Sequence, residues 1–524
     1  MKSGETLFVR PSSGLVKMIG PWTCMFFGIT PCLDSLQYTT LSSLPQMYPG
    51  MSLGLTLLIA GILVTIEATS FALIMLAMPR SGGGYIIPSR GINPGFGMME
   101  LWRTVINNPM NQAVTNYFTA YAIGNSLVII GQILHNPGVI SAGTRLMTPE
   151  NALSIGIILT IVACLFALLG PTAKIEPKWY AAWGIIAIIA WIMNIASLAL
   201  SAGSIQRRWD YLWGDGAYEE VLKIAKEAGY QPVPFNWNAT ILALPWPITL
   251  SWPYNIMQYA GEVTEPDKNI PLATIGSAIV LGAFYTCMAI AFESSIGKFA
   301  NMYSFILASG HGDKLTINPR LPMTNFAVWS ACLAPAWLSP FLVLAPLYAG
   351  LGSLTIYIAY VARPLFAAAF DRLLPAKFAE LSRYGTPKYG ILFHLIATII
   401  FLVPCYFGFV ITGAVSFLIT YAFVRWMDNL AAALLPYIKP HLYKTSIRRQ
   451  PEVAGIPLIT ICGTIASLVL LFMVFLFASV TPITSMFFVA ATYTFGVIWF
   501  IAYANRLRKM DIDVDKIFSV LPPA

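Results

Sequence analysis

Twelve long apolar segments follow one another through almost all of the 524 residues of this chain. Hydrophobic residues make up 57% of the sequence and charged residues 10%, whereas a soluble domain carries about 25% charged residues. A bilayer core about 30 Å thick requires roughly 20 apolar residues per crossing helix. The sequence therefore predicts an all-α polytopic membrane protein with twelve transmembrane helices. The segments, numbered one to twelve, cover residues 15–45, 53–78, 95–134, 152–170, 180–203, 238–260, 272–296, 337–370, 389–408, 410–437, 456–479 and 483–504.

The basic residues indicate how these segments cross the membrane. With both termini in the cytoplasm, the inside regions contain most of the 31 Lys and Arg residues, with groups at 363–388 and 506–516. This excess follows the positive-inside rule, so topology explains the net charge of +8 and no nucleic acid partner is expected. The first segment lacks a signal-peptide cleavage site and is expected to remain in the mature protein. The seven cysteines are spaced singly, so no metal site is predicted.

Helix-breaking residues interrupt segments one and six, which lie five segments apart. The first is broken at Gly28, Ile29, Thr30 and Pro31, and the sixth contains three prolines around Trp252. Segments three and eight are both far longer than a perpendicular crossing requires. Helix breakers at corresponding positions of two halves predict an inverted-repeat transporter with a binding site at the membrane midplane.

A single membrane domain, residues 1–524, is expected on this basis. It would contain a first repeat at 15–203, a second repeat at 238–437 and two additional helices at 456–504. A broken helix exposes backbone polar groups, which a membrane tolerates only where they line a cavity or meet a ligand, and a half-helix N-terminus favours a carboxylate. A proline kink without a binding role is the other interpretation of either break alone. The predicted substrate-binding residues are Gly28, Ile29, Thr30, Pro31, Ser251, Trp252 and Tyr254.

Three stretches, at 79–102, 261–274 and 362–387, resemble motifs of the amino acid, polyamine and organocation (APC) permeases. The first has a Gly-Gly-x-Tyr pattern followed by an arginine, and the third has an Arg-Pro and an Asp-Arg-Leu-Leu-Pro run. The resemblance implies a five-plus-five inverted-repeat fold with two extra C-terminal helices, and secondary transport of amino acids or related amines by alternating access. The motif residues that it assigns to gating are Gly82, Gly83, Tyr85, Arg90, Glu262, Arg363 and Asp371.

Both breaks depart from the family pattern. The first family break carries Gly-Ser-Gly-Ile or a close variant, whereas only Gly28 is retained here. In segment six, Trp252 and Tyr254 stand where the family often has a glycine and a glutamate. The pocket is therefore expected to differ in shape from those of better-known members, and the resemblance does not identify the substrate.

Charged residues inside membrane segments are functional candidates because their burial is costly. Asp34 is predicted either to pair with an ammonium group or take a coupling proton, or to cap the outer half of segment one. Glu67, in the middle of segment two, either takes a coupling proton or bonds to another helix. Arg425 and Asp428, three residues apart on segment ten, are expected to form a local ion pair, and Glu293 is expected to be solvated at the interface.

Sodium is the alternative coupling ion. Some relatives place a lysine of the fifth helix where sodium would bind, but segment five has no Lys or Arg between Tyr180 and Leu200. The resemblance implies a sodium site formed by carbonyls of segment one and hydroxyls of segment eight, which are suitable hard oxygen ligands. Hydrogen bonding of those hydroxyls to their own backbone is the other interpretation, and proton coupling is preferred. The candidate residues for an ion are Gly352, Ser353 and Thr355.

The sequence thus predicts a secondary active transporter of the cytoplasmic membrane, either an ion-coupled symporter or an exchanger. Its expected partners are a small amino acid or amine and the lipid bilayer, with no cofactor beyond a coupling proton or sodium ion. The alternative is a transporter-like receptor that binds an amino acid without moving it, although the tail after about residue 505 is short for an output domain. An enzyme is not expected, because no His-Glu-x-x-His pattern occurs.

Overall fold

The computed structural model describes residues 7–170, 175–316, 325–408 and 411–523. Within these ranges nine helices are long and apolar enough to cross a membrane, and they coincide with nine of the twelve predicted segments. The polytopic helical architecture is confirmed at this level, whereas twelve crossings and two inverted repeats stay predictions. The nine helical spans are Leu53–Ala77, Pro94–Ile133, Pro149–Leu169, Lys178–Leu200, Pro266–Ser295, Ala345–Phe370, Lys388–Tyr406, Leu458–Val480 and Ile483–Lys509.

Segment one is broken where the sequence predicts. A helix over Pro21–Ile29 passes into a 3-10 turn at Thr30–Cys32, and a second helix runs over Ser35–Met47. Proline has no backbone N–H, so Pro31 leaves the carbonyl of Phe27 without its usual helical donor. The break is therefore a direct consequence of the local sequence.

Segment six is also interrupted. Helices over Trp237–Ala243 and Pro245–Thr249 are followed by the non-helical stretch 250–254 and by a 3-10 helix over Asn255–Glu262. Pro253 lacks an N–H for the carbonyl of Thr249, and that carbonyl instead accepts a hydrogen bond from the indole of Trp252. Prolines and a side-chain donor together hold this segment open.

Segment eight contains a break that the sequence did not indicate. Helices over Ser339–Val343 and Ala345–Gly352 are followed by a turn at 353–355 and a helix over Ile356–Phe370. The hydroxyl of Ser353 bonds to the carbonyl of Ala349 at 3.0 Å. Such back-bonding by a hydroxyl competes with the helical hydrogen bonds and contributes to the turn.

Segment ten is a helix over Ile411–Ile438. A π-helical turn at Leu272–Gly276 opens segment seven, and a two-stranded antiparallel hairpin pairs Glu452–Val453 with Ile456–Pro457. The remaining helices are Gly83–Gly91, Pro137–Leu146, Ile205–Trp213, Ala217–Glu227, Gly297–Ala308, Phe326–Leu333, Pro440–Lys444 and Val514–Ser519, with 3-10 turns at Gly312–Lys314 and Ala376–Ala379.

Glu293 is exposed, as predicted for the outer end of segment seven, and it also has a structural partner. Its carboxylate accepts hydrogen bonds from the backbone amides of Leu53 at 2.6 Å and Gly54 at 3.0 Å. These are the first residues of the helix of segment two. A carboxylate at a helix N-terminus satisfies otherwise unpaired amides, so Glu293 fastens segment seven to segment two.

Candidate transport site

Two cavities adjoin the broken helices. The larger one, here called the Asp34 cavity, has about 580 Å³ of empty space, open solvent at its mouth included, and lies between segments one, three, four and eight. The smaller one, the Trp252 cavity, has an empty volume of about 240 Å³ and is bordered by segments three, six, eight and ten. Tyr357 lines both cavities, so a single side chain stands between two compartments of one potential site.

The Asp34 cavity combines one carboxylate with amide and hydroxyl groups. Asp34 is 6% exposed, and the side chains around it include Gln112 and Asn116 of segment three. One oxygen of Asp34 accepts a hydrogen bond from the amide of Leu36 at 2.8 Å, which makes it the N-cap of the helix over Ser35–Met47. The capping alternative is therefore realised, and the role of Asp34 toward an ammonium group or a proton stays a prediction.

The Trp252 cavity is mostly aromatic. Trp252 and Tyr421 lie with ring centroids 5.2 Å apart. Asn255 donates to the carbonyl that Pro31 leaves free, that of Phe27, at 3.2 Å, and it accepts from the hydroxyl of Tyr360 at 2.8 Å. The cavity thus joins both breaks to segments eight and ten. Its lining residues are Asn108, Trp252, Asn255, Ile356, Tyr357, Tyr360 and Tyr421.

Side chains occupy several backbone acceptors that the breaks set free. The amide of Gln37 donates to the carbonyl of Pro31 at 3.3 Å and to that of Leu250 at 3.1 Å, so one side chain bridges the two breaks. The hydroxyl of Tyr285 donates to the carbonyl of Cys32. Such pairing is what non-helical backbone requires at membrane depth. A ligand that binds at the breaks would exchange with these side-chain donors.

The residues predicted at the first break are packed tightly. A Cβ built on Gly28 would lie 2.6 Å from the carbonyl oxygen of Ala273 and 2.8 Å from that of Pro253, so Gly28 allows segments six and seven to approach closely. Thr30 is fully buried, and its methyl group lies against Gly352. Ile29 and Pro31 are likewise buried. These residues hold the break together, and their contact with substrate stays a prediction.

The residues predicted at the second break point in different directions. Trp252 borders a cavity, and its backbone N–H donates to the sulfur of Cys32 at 3.1 Å. Ser251 bonds to the carbonyl of Pro247 at 2.8 Å. The ring of Tyr254 stacks on Phe71 with centroids 4.1 Å apart. In this arrangement Trp252 is the predicted segment-six residue that borders the Trp252 cavity, while Tyr254 packs toward segment two.

Glu67 and Arg425 form a buried ion pair, which corrects the expected pairing of Arg425 with Asp428. The Nε of Arg425 donates to Glu67 at 2.8 Å, and its Nη2 donates to the second carboxylate oxygen. Asn429 donates to the same carboxylate at 3.3 Å. A guanidinium group binds most strongly to a carboxylate whose two oxygens it can contact at once, and Glu67 of segment two offers Arg425 such a contact. Glu67 is thus bonded to another helix, one of the two alternatives left open by the sequence.

The predicted ion residues of segment eight are already engaged with protein groups. Thr355 donates to the carboxylate of Glu176 at 2.6 Å, and Ser353 bonds to its own helix. Glu176 also accepts from the hydroxyl of Tyr259 at 3.0 Å. No group of three His, Cys, Asp or Glu side chains that could hold a metal ion occurs among the described residues. A sodium role for Gly352, Ser353 and Thr355 stays a prediction.

Glu176 is a site residue that sequence reasoning missed. It lies in the helix over Ile175–Leu200 and is 3% exposed. In the sequence it precedes segment five and looks like a loop carboxylate next to basic residues. Glu176 differs from an ordinary loop carboxylate only because Thr355 and Tyr259 donate hydrogen bonds to it. No local sequence pattern indicates these two contacts.

The three motif stretches come together as two buried ion pairs. Arg90 donates to both oxygens of Asp371, at 2.5 and 2.7 Å, and the hydroxyl of Tyr85 donates to the same carboxylate at 2.7 Å. Arg363 donates to both oxygens of Glu262, at 2.8 and 3.1 Å. All four charged side chains are at most 5% exposed. Together these contacts tie the hinge after segment two to the ends of segments six and eight.

Two glycines allow the hinge to approach these ion pairs. Gly82 has a φ of +85° and begins the helix over Gly83–Gly91. A Cβ on Gly82 would lie 2.8 Å from the carbonyl oxygen of Arg363, and one on Gly83 would lie 2.7 Å from that of Met257. A side chain at either position would separate the hinge from segments six and eight.

Comparison with known proteins adds to this geometry. A family model described as "Amino acid permease" matches residues 19–500. The D-serine/D-alanine/glycine transporter of Escherichia coli K12 is 22% identical over 305 residues, which cover 56% of this chain and 58% of that protein. The glutamate/serine transporter AimA of Bacillus subtilis is 28% identical over 144 residues, 27% of this chain and 24% of that protein.

A probable polyamine transporter of Arabidopsis thaliana is 28% identical over 158 residues, which cover 30% of this chain and 28% of the plant protein. The matched stretches cover less than two thirds of the length of each of these relatives.

Proposed function

Because the chain belongs to the amino acid permease family, we propose that it is a secondary active transporter that moves an amino acid or a related amine across the cell membrane by alternating access. The transporter names of its relatives support this substrate class. The observation that carries the proposal is the pair of broken helices, in segments one and six, that adjoin two cavities sharing the lining residue Tyr357.

The two cavities suit the two parts of such a substrate. The carboxylate of Asp34 is the charged group of the larger cavity, and it attracts the ammonium group that amino acids and amines share. The rings of Trp252 and Tyr360 border the smaller cavity and offer apolar and π surface to the rest of the substrate. In this proposal Tyr357, which lines both compartments, lies between the part of the site that binds the ammonium group and the part that binds the rest of the substrate.

The motif ion pairs supply a gate in this proposal. In this proposal Arg90 with Asp371 and Arg363 with Glu262 hold closed one end of the helix bundle, the end that the predicted topology assigns to the cytoplasm. Opening that end requires both pairs to separate or to move with one rigid unit. Leaving one member of a buried ion pair without its partner costs free energy. A rigid unit that moves with its ion pairs intact avoids this cost and is therefore favoured.

Transport is proposed to be coupled to protons rather than to sodium, or to proceed by exchange. Thr355, a predicted sodium ligand, already donates to Glu176, and this contact alone does not indicate a cation site. Buried carboxylates, by contrast, are present close to both breaks. These observations favour a proton as the coupled ion.

Uptake into proteoliposomes tests the proposal. The purified protein is reconstituted, and a panel of labelled amino acids and polyamines is offered with an imposed proton gradient, an imposed sodium gradient or neither. Accumulation of one class under a gradient, or counterflow of it without one, supports the proposal. Saturable binding without any flux would favour the receptor alternative instead.

A matched pair of tryptophan variants locates the site in the same assay. Trp252→Ala is expected to raise the substrate KM, because it removes the ring that borders the smaller cavity. Trp337→Ala serves as the control, since Trp337 is 78% exposed. Equal KM values for Trp252→Ala and the unaltered protein would remove Trp252 from the site.

A further inference from the structure

Five ionisable side chains are buried together between segments two, three and ten. They form what we call the acidic cluster, in which three carboxylates meet two guanidinium groups. Each member is at most 2% exposed. With every group ionised, the cluster would carry one net negative charge inside the protein. Its members are Glu67, Glu100, Arg103, Arg425 and Asp428.

Two of the carboxylates have a guanidinium partner. Glu67 binds Arg425 through both oxygens. Glu100 accepts from the Nη2 of Arg103 at 3.1 Å, while its other oxygen has no partner among the described residues. The Nε and Nη1 of Arg103 also lack partners there. Both carboxylate oxygens of Glu67 are therefore hydrogen-bonded. In the Glu100–Arg103 pair, two guanidinium donors and one carboxylate oxygen have no partner among the described residues.

Asp428 is the carboxylate that remains. Within the described part of the chain neither of its oxygens has a hydrogen-bond partner, although the side chain is 1% exposed. The charged groups that act on it are Glu100 and Arg103 of segment three and Glu67 of segment two. An ionised carboxylate without donors is costly in such surroundings, whereas a neutral carboxylic acid is far less so.

Among the described residues, the other elements that pack against this region supply no unpaired charge, since Arg90 of the helix over Gly83–Gly91 is bound to Asp371. Segment eleven, which runs alongside segment ten, contains no charged residue over Leu458–Val480. Segment twelve contributes the ring of Tyr493, whose hydroxyl donates to the carbonyl of Thr420 at 3.1 Å. The charge balance of the cluster therefore depends on its own five members.

The cluster touches the broken part of segment six. The Nη1 of Arg425 donates to the carbonyl of Ile248 at 2.9 Å, just before the break. A Cβ built on Gly84 would lie 2.8 Å from an oxygen of Glu100 and 3.2 Å from the amide nitrogen of Gln258, so both side chains approach the same glycine. Gln258 belongs to the 3-10 helix after the break, and its amide has no partner among the described residues.

Tyr421 joins the cluster to the Trp252 cavity. Its ring lies 5.6 Å from the guanidinium carbon of Arg103 and 5.7 Å from that of Arg425. The same ring borders the cavity beside Trp252. A change in the charge of the cluster therefore acts on a side chain that also borders the proposed substrate compartment.

From these contacts we propose that Asp428 binds the coupled proton, and that the acidic cluster transmits its arrival and departure to segment six. The proposal rests on the proposed transport function and specifies its ion. A metal ion is a poorer occupant, because the described acidic side chains do not converge on a metal site and Arg103 acts on the same carboxylate.

The proton step conserves charge and atoms. When the O–H bond of Asp428 breaks, the proton passes to water and the electron pair stays on the carboxylate. That carboxylate then attracts the unused donors of Arg103 and weakens the contact of Arg103 with Glu100. Glu100 and Gln258 both approach Gly84, and through this position the release of the proton is expected to loosen segment six at its break.

Infrared difference spectroscopy of the reconstituted protein tests proton binding without any need for transport. The spectrum of the unaltered protein minus that of Asp428→Asn is expected to contain the C=O band of a buried carboxylic acid, shifted in D₂O. Asp215→Asn, at an exposed position, is expected to remove only ionised carboxylate bands. Loss of ionised bands alone in Asp428→Asn would overturn the proposal.

Transport supplies a second, separate measurement. With the substrates of the uptake panel, Asp428→Asn is expected to lower accumulation under a proton gradient about tenfold, within the usual range of coupling effects, and to retain counterflow. Asn resembles the neutral acid in shape, so folding is expected to survive. Undiminished gradient-driven accumulation would overturn the proposal. Absence of all flux in the unaltered protein would instead contradict the proposed function, while the infrared band would still decide the state of Asp428.

Discussion

Arg90 and Asp371 lie 281 residues apart in the sequence and form a fully buried, two-pronged ion pair, with oxygen–nitrogen distances of 2.5 and 2.7 Å. The hydroxyl of Tyr85 adds a third donor to the same carboxylate. The ring of Phe518, 4.8 Å from the guanidinium carbon of Arg90, covers the pair. A contact of this kind fastens the hinge after segment two to the end of segment eight.

Asp371→Asn is expected to destabilise the protein by about 3–5 kcal/mol, because it leaves the Arg90 guanidinium buried without a counter-charge. The measurement is the thermal unfolding of the purified protein in detergent. Lys268→Gln is the matched control, since Lys268 and Glu265 form an ion pair that is 72% and 66% exposed, and no measurable change is expected from it. Similar midpoints for the two variants would contradict the structural role of the Arg90–Asp371 pair.

Gly82→Ala is expected to impair both stability and transport. The left-handed backbone at Gly82 costs a non-glycine residue roughly 1–2 kcal/mol, and the added Cβ would also meet the carbonyl of Arg363 at 2.8 Å. Gly203→Ala separates the two effects, because Gly203 has a φ of +79° and no atom within 4 Å of such a Cβ. Because only Gly82 contacts segment eight, Gly82→Ala is expected to lower the unfolding midpoint and the uptake rate more than Gly203→Ala does. Equal decreases in the two variants would rule out a role for that contact.

Asp34→Asn is expected to weaken the binding of an ammonium group while the helix remains capped. Asn caps a helix N-terminus about as well as Asp, so the unfolding midpoint should stay close to that of the unaltered protein while KM rises. Asp34→Ala removes the cap as well and should cost about 1 kcal/mol of stability. A KM that is unchanged in Asp34→Asn would restrict Asp34 to capping.

Glu67→Gln is expected to reduce gradient-driven uptake and counterflow by the same factor. Glu67 holds Arg425 through both oxygens, and removing the charge leaves a buried guanidinium at a cost of about 3–5 kcal/mol. The effect therefore acts on folding and on segment six, not on a transported proton. Glu219→Gln, at an exposed position, is the control. A decrease in gradient-driven uptake without a matching decrease in counterflow would instead indicate that Glu67 binds the coupled proton.

Two of the three helix breaks could be predicted from the sequence, and the third could not. The break of segment one follows from Pro31, and that of segment six from the prolines around Trp252, because a missing N–H acts on a carbonyl only a few residues away. The break of segment eight has no such marker, since the hydroxyl of Ser353 contributes to the turn through a bond to Ala349 that serines also form in unbroken helices. Its turn depends on contacts of Gly352 with Thr30 and of Thr355 with Glu176.

The partners of the buried charges could not be derived in the same way. Arg425 and Asp428 are spaced for a local pair, yet Arg425 binds Glu67, which is 358 residues distant, and Asp428 keeps no partner among the described residues. A guanidinium selects the carboxylate whose two oxygens it reaches in a desolvated position, and that choice depends on how segments two, three and ten pack.

Apolar length, basic loops and proline positions are properties of short stretches, and they were enough to indicate a polytopic helical protein with broken helices. The two cavities at the breaks, the two motif ion pairs and the carboxylate of Asp428, which has no hydrogen-bond partner among the described residues, arise between residues hundreds of positions apart. Burial removes water as a partner for each of these polar groups, so the neighbours supplied by the folded chain decide which charge is paired and which remains available for function.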